Sequence, residues 1–200
     1  MASSLPTEAE VRALVSRIVA GLEPTDTEQP GGAAVSTAAS DARSPGDRLV
    51  IALGADHGGY PLKERIGFRL KEQGHRVIDC GTDSGDSVDY PDFAHAVAQR
   101  VSKGEANSGV IVDGAGIGSA MAANKVPGVR AALCYDVSSA QNSREHNHAN
   151  VLTLGAGLIG ANLALQIVEA WLATPWAEGR HADRVAKITA IERQYSRSAR

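Results

Sequence analysis

The stretch "GVIVDGAGIGSAMAANK", residues 109–125, carries the densest chemistry in the chain. The apolar run Val110-Ile111-Val112 ends in a carboxylate, Asp113, and glycines follow at Gly114, Gly116 and Gly118. Glycines at this spacing let backbone N–H groups turn toward an anion without side-chain obstruction. A helix opening near Gly118 adds the partial positive charge of its N-terminus. Such a loop suits a phosphate, or an oxyanion that forms only during reaction. Three readings compete. A dinucleotide site would use Gly-x-Gly-x-x-Gly with an acid about 20 residues on. Asp136 lies near that distance, but the glycine spacing differs. A plain strand-to-helix turn explains the glycines and leaves Asp113 only a capping role. The third reading is an anion site, the loop holding a phosphate or an oxyanion of reaction.

The elements that must position this loop are legible from residue 48 onward. Short apolar runs predict strands at Leu49–Leu53, Arg76–Asp79, Gly109–Val112, Val129–Leu133 and Val151–Leu154. Amphipathic patterns predict helices near 60–73, 91–103, 118–124, 137–146, 160–173 and 180–195. Continuous apolar strands alternating with helices imply a Rossmann-like α/β/α sandwich of three layers with a five-stranded parallel sheet. In such sheets ligands sit beyond the carboxyl ends of the strands. The stretches there are "GADHGG", "DCGTDSGDSVDYP", "DGAGIG", "CYD" and "GAGLIG".

Composition narrows the function. The chain has 200 residues, a formal charge of -3 and few aromatics. No broad basic surface is on offer, so nucleic acid and acidic membranes are not expected partners. No apolar run is long enough to span a bilayer, and no basic-then-apolar leader opens the chain. Cys80 and Cys134 stand far apart and read as reduced, buried thiols of a cytoplasmic protein. His146 and His148 are two residues apart, a spacing that does not put both on one helix face, and no cysteine joins them. No metal or other cofactor is expected.

The main domain resembles the type B ribose-5-phosphate isomerases, a family that includes the galactose-6-phosphate isomerase subunits. The resemblance runs from Leu49 to about Tyr195. It rests on "GADHGGYPLK", "DCGT", "DYPDFA", "GAGIG", "AANKVPGVRAALC", "SAQNSREHNHANVLTLG" and "GRHADRV", in that order. It implies metal-free interconversion of an aldose phosphate and a ketose phosphate through an enediolate. Asp113 takes the position of the base. The loop Gly114, Ala115, Gly116, Ile117 and Gly118 takes that of the enediolate-stabilising N–H groups. His146 matches the histidine that helps open the sugar ring, and Asn147 a contact to sugar oxygens. Asp56 and His57 match sugar and phosphate contacts, and Tyr90 lines the same pocket. Arg180 and Arg184 match phosphate binders, and their i, i+4 spacing puts both on one helix face. Asn124 matches another position near the site. The resemblance also implies a homodimer or tetramer with sites shared between subunits. Read without it, Arg180 and Arg184 are a solvated helix face, and His57 caps the helix after it.

Three departures bear on substrate. Asp113 replaces a cysteine common in the family, Ala115 a threonine or serine, and Gly157 an arginine that helps bind phosphate. A related tetrose, pentose or hexose phosphate is the alternative substrate, and a non-catalytic sugar-phosphate binder the alternative class.

Residues 1–47 lie outside the resemblance. In residues 1–22, Val11, Leu14, Val15, Ile18, Val19 and Leu22 form one apolar helical stripe, with Thr7 and Glu10 spaced for a capping box. Residues 23–47 are rich in Pro, Gly, Ser, Thr and Ala and read as a flexible linker spanning roughly 25–30 Å. The pair resembles the encapsulation peptides of bacterial microcompartment cargo, which implies shell proteins or other cargo as partners and a microcompartment lumen as location. A helix packed on its own domain or on a dimer partner is the alternative.

Overall fold

The computed structural model describes residues 48–196. The helix and linker expected over residues 1–22 and 23–47 lie outside the described residues. Among these residues are five strands, each followed by a helix, and one further helix at the end: β1 Val50–Ala55, α1 Tyr60–Glu72, β2 Arg76–Asp79, α2 Tyr90–Ser102, β3 Ser108–Asp113, α3 Ile117–Ala123, β4 Ala131–Leu133, α4 Val137–Glu145, β5 Val151–Gly155, α5 Ala161–Ala173 and α6 Arg180–Ser196. The sheet is wholly parallel, in the order β2-β1-β3-β5-β4. The chain steps outward from β1 to β2 and then returns to the other side of β1 for β3. This reversal opens a crevice between the carboxyl ends of β1 and β3.

Apolar layers cover both sheet faces. Leu62, Ile66 and Leu70 of α1 pack with Ala164, Ile167 and Trp171 of α5 against Ile51, Leu53, Val110 and Leu152. On the other face Ala94, Val97 and Val101 of α2 and Ala123 of α3 meet Ala52, Ile111 and Val151. The strands alternate between these layers, which is why their sequences read as unbroken apolar runs. The three-layer sandwich is the one expected.

One strand is shorter than its sequence suggests. β4 begins at Ala131, not Val129. The Val129 N–H donates to Val126 O in a turn, and the Arg130 N–H donates to the Asn150 side chain. Asn124 then takes the outer edge of β4: its amide donates to Ala131 O and its carbonyl accepts from Ala131 N–H. The side chain stands in for a neighbouring strand.

Lys63 is 1% exposed on α1 and bonds both oxygens of Asp79, at 2.8 and 2.7 Å, at the end of β2. Burial pulls its pKa down, but Asp79 and Glu64 more than offset this and hold the ammonium above its ordinary value. Asp79 in turn accepts the Gly81 N–H, and the Gly81 carbonyl accepts from Ala55. The ion pair thus fixes the loop beside the last residue of β1.

Candidate active site

Asp113 is the last residue of the central strand β3 and is 4% exposed. Its Oδ1 accepts the N–H groups of Ala115, at 2.8 Å, and of Gly116. Its Oδ2 accepts the N–H of Ser119, at 3.1 Å, and the Ser119 hydroxyl. Four donors fill the four lone-pair positions of one carboxylate. The carboxylate is therefore the post around which the glycine loop is wound, as a cap would be. Two loop amides expected to face a ligand, those of Ala115 and Gly116, face Asp113. Of the four donors, three are backbone groups fixed by the loop, and only the Ser119 hydroxyl is a rotor.

Gly116 is required by this winding, and Gly118 leaves room for a neighbouring ring. Gly116 has φ +78°, and a Cβ there would meet the Leu133 side chain and the backbone where Leu154 joins Gly155. A Cβ on Gly118 would meet the Tyr90 ring at 2.5 Å, so the ring lies directly on the loop. Tyr135, just beyond β4, donates its hydroxyl to Ala115 O at 2.9 Å. Across the crevice, Asp56 accepts the Gly59 N–H at 2.8 Å and so shapes the first turn of α1. His57 Nδ1 accepts the Val88 N–H at 3.3 Å. A Cβ on Gly58 would come within 4 Å of Gly114, which measures how closely the two strand ends approach. Asp56, His57, Tyr90 and Asp113 to Gly118 thus gather at the carboxyl edge of the sheet.

The other residues expected at the site do not join them. Helix α4 starts at the carboxyl end of β4 and runs back along the sheet, so His146 and Asn147 emerge beside the start of β5. Asn150 N–H and Arg130 O meet there, and Arg130 Nε donates to His148 O. Asp113 pairs instead with Gly155, the last residue of β5. At about 3.3 Å per residue the two groups are separated by roughly 15 Å of strand.

His146 sits in a second, distinct cluster. Its Nδ1 is 2.8 Å from the amide of Asn142, one turn earlier on α4. Its ring stacks on that of His181, with centroids 4.3 Å apart and planes at 5°. His181 is 8% exposed on α6, flanked by Arg180 and Arg184. Burial first, then the charges of His146, Arg180 and Arg184, hold the His181 pKa below its ordinary value. The α5–α6 connection is tied to the same place. His148 stacks on Trp176 at 4.1 Å, and Ala177 N–H donates to Glu145 O. Arg144, wholly buried, lies over the Trp171 ring and bonds Ala149 O, which anchors the end of α4.

Asn147 and Asn124 line a third feature, a groove of about 770 Å³ between α6 and the β4 edge, with Ile188, Ile191 and Tyr195 on the helix side. Asn124 has its amide engaged with Ala131 and is there an architectural residue. Ser119, Tyr135, Asn142 and His181 are not marked out by the sequence. Of these, only the tyrosine of "CYD" carries a local signal, as a polar ring at a strand end. Among the described residues no cluster of three or more His, Cys, Asp or Glu is arranged to hold a metal, and no helix is long and apolar enough to cross a membrane.

A parallel α/β domain with a glycine loop at the switch point defines a class of small-ligand enzymes and binders. Similarity to known proteins places the chain within it. Residues 51–188 match the ribose/galactose isomerase family model, and the chain belongs to that family. It is 47% identical over 144 residues to ribose-5-phosphate isomerase B of Escherichia coli, covering 72% of this chain and 97% of that protein. The solved ribose-5-phosphate isomerase B of Clostridium thermocellum superposes with a TM-score of 0.72 at 51% identity, covering 73% of this chain and 99% of that one. The Mycoplasma genitalium ribose-5-phosphate isomerase B solved with bound ribulose-5-phosphate gives 0.70 at 38% identity, covering 72% and 96%.

Proposed function

We propose that the chain interconverts ribose 5-phosphate and ribulose 5-phosphate through an enediolate. The observation that carries this reading is the buried carboxylate Asp113 inside the glycine loop at the β1/β3 crevice, in a chain whose relatives are named ribose-5-phosphate isomerase B. Asp113 takes the proton from C2 of the open aldose and returns it to C1, while the O2 hydrogen passes to O1. For this one lone pair must come free, and the Ser119 hydroxyl is the partner able to turn away. The N–H groups of Gly114, Ile117 and Gly118, which Asp113 does not use, remain for the enediolate oxygen. Such a donor is worth ~3–4 kcal/mol of barrier. His146 donates to the ring oxygen as the furanose opens, and Asn147 holds sugar oxygens. Arg180 and Arg184 bind the phosphate with charge-assisted bonds.

The separation of the two clusters supports a shared site. One copy supplies the loop, Asp56, His57 and Tyr90, and a second copy supplies His146, Asn147, Arg180 and Arg184. A two-fold homodimer makes two such sites. The N-terminal stripe supports a second assignment, docking of residues 1–22 to a microcompartment shell or its cargo, with the enzyme in the lumen of a bacterial microcompartment.

Gly157 favours one alternative. It offers no cation for the phosphate, so another tetrose, pentose or hexose phosphate is the second candidate substrate. The experiment is turnover of ribose 5-phosphate by purified protein without added metal or nucleotide, with Asp113→Asn in parallel. Ribulose 5-phosphate formed by the parent and lost in the variant supports the reading. An inactive parent, also inactive on other aldose phosphates, removes it. For the address, residues 1–22 fused to a fluorescent protein enter shells; diffuse fluorescence in cells with intact shells refutes it.

A further inference from the structure

We infer that Asn142 and His181 are positioning residues that hold His146 in one tautomer and one ring plane, and that the His181 stack also fixes the arginine pair beside it. The inference rests on the isomerase reading above and deepens it.

A general acid must present its proton in a fixed direction. An amide N–H₂ can only donate, so at 2.8 Å the Asn142 amide makes His146 Nδ1 the acceptor. The proton of the neutral ring is then on Nε2, on the side where the exposed Glu145 carboxylate lies 3.7 Å away. This bond sets the tautomer and one rotation. The other rotation is set by His181, whose ring lies parallel on one face of His146. His181 is enclosed, and its Nδ1 is buried without a partner. A buried imidazole kept neutral stacks on His146 without adding a positive charge beside Arg180 and Arg184. Because His181 adjoins Arg180 and lies one turn from Arg184, its contact with His146 also ties the proton donor to the phosphate binders. The His148–Trp176 stack and the Ala177–Glu145 bond hold the connection that carries α6 to this place.

The ring-opening step moves one proton in net terms. The C1–O4 bond breaks and C1=O1 forms. The O1 hydrogen leaves to water, O4 receives the Nε2 proton of His146, and water restores it. Ribulose 5-phosphate has its O5 phosphorylated and stays open, so exchange of its C1 hydrogen with solvent bypasses ring opening. The two reactions separate the half-sites.

The experiment uses the full-length protein. Ribose 5-phosphate turnover is compared with deuterium exchange at C1 of ribulose 5-phosphate, followed by NMR, in Asn142→Leu, His181→Ala and His181→Phe. Asn142→Leu should lower turnover about tenfold, part of what a general acid supplies, with exchange and KM unchanged. His181→Ala should lower turnover and raise KM together, and His181→Phe, which keeps a flat ring, should restore both. Turnover and exchange falling in step in Asn142→Leu, or a phenylalanine that does not rescue, would overturn the inference. A parent that exchanges and turns over nothing removes the isomerase reading, and the inference falls with it.

Discussion

The carboxyl edge of the sheet and its amino edge are built from different materials. At the carboxyl edge a backbone loop is wound around Asp113 and turned at Gly116, with Asp56, His57 and Tyr90 beside it. At the amino edge the polar groups are side chains on two helices, held by stacked rings and an amide. Backbone loops at strand ends are rigid because the sheet fixes both of their ends, which suits a group that must meet a carbon-bound proton. Helix-borne side chains can reach outward, which suits the proposed role of meeting a substrate lodged on another subunit. The difference explains why one fold carries both sets of residues roughly 15 Å apart.

The largest expected effect breaks the carboxyl edge. Asp113→Asn should lower kcat by about 10³-fold or more in both turnover and C1 exchange, since the proposed base is lost outright. Equal activity in that variant would reduce Asp113 to a cap. At the amino edge, His146→Asn should lower ribose 5-phosphate turnover by about 10²-fold and leave exchange nearly intact. The same edge is probed through binding by Arg180→Ala with Arg184→Ala. Each charge-assisted bond is worth about 1.5–3 kcal/mol, so KM should rise at least tenfold while kcat changes little. A matching fall in kcat would show that the arginines do more than bind.

Much of this fold is legible in the sequence, and the reason is visible in particular residues. β3 reads correctly because Val110, Ile111 and Val112 are buried on both faces of the sheet. β4 does not, because the Val129 and Arg130 N–H groups are spent in a turn and on Asn150, and an apolar residue gives no sign of that. The loop is legible as an anion cradle from its glycines. That Asp113 would itself capture the Ala115 and Gly116 amides depends on the path of the loop and on Ser119, six residues on. His146 is legible through its motif, but His181 is 35 residues away in sequence, and no periodicity links them. The placement of His146 at the amino edge follows from connectivity alone, since a helix after a parallel strand must run back.

Smaller effects test the frame. Lys63→Met should remove the two-oxygen partner of Asp79 and loosen the loop beside β1; because Asp79 is half exposed and stays hydrated, the cost is about 1 kcal/mol of stability in denaturant unfolding. A variant as stable as the parent would show that the Gly81 and Ala55 bonds suffice. His75 accepts the Leu49 N–H on Nδ1, and burial holds its pKa below the ordinary value. Its contribution is therefore whole above about pH 6.5 and is lost as pH falls through the lowered native pKa. Melting temperature should fall in that window, and His75→Gln should flatten the slope there.

The central claim is that the two edges meet only between copies. The most direct measurement mixes Asp113→Asn and His146→Asn subunits by co-refolding and assays ribose 5-phosphate turnover. Each mixed dimer would hold one site with both residues intact. Random pairing then restores about a quarter of the parent activity from two nearly inactive variants. A mixture no more active than the two variants measured apart would contradict the claim and require both edges to act within one chain.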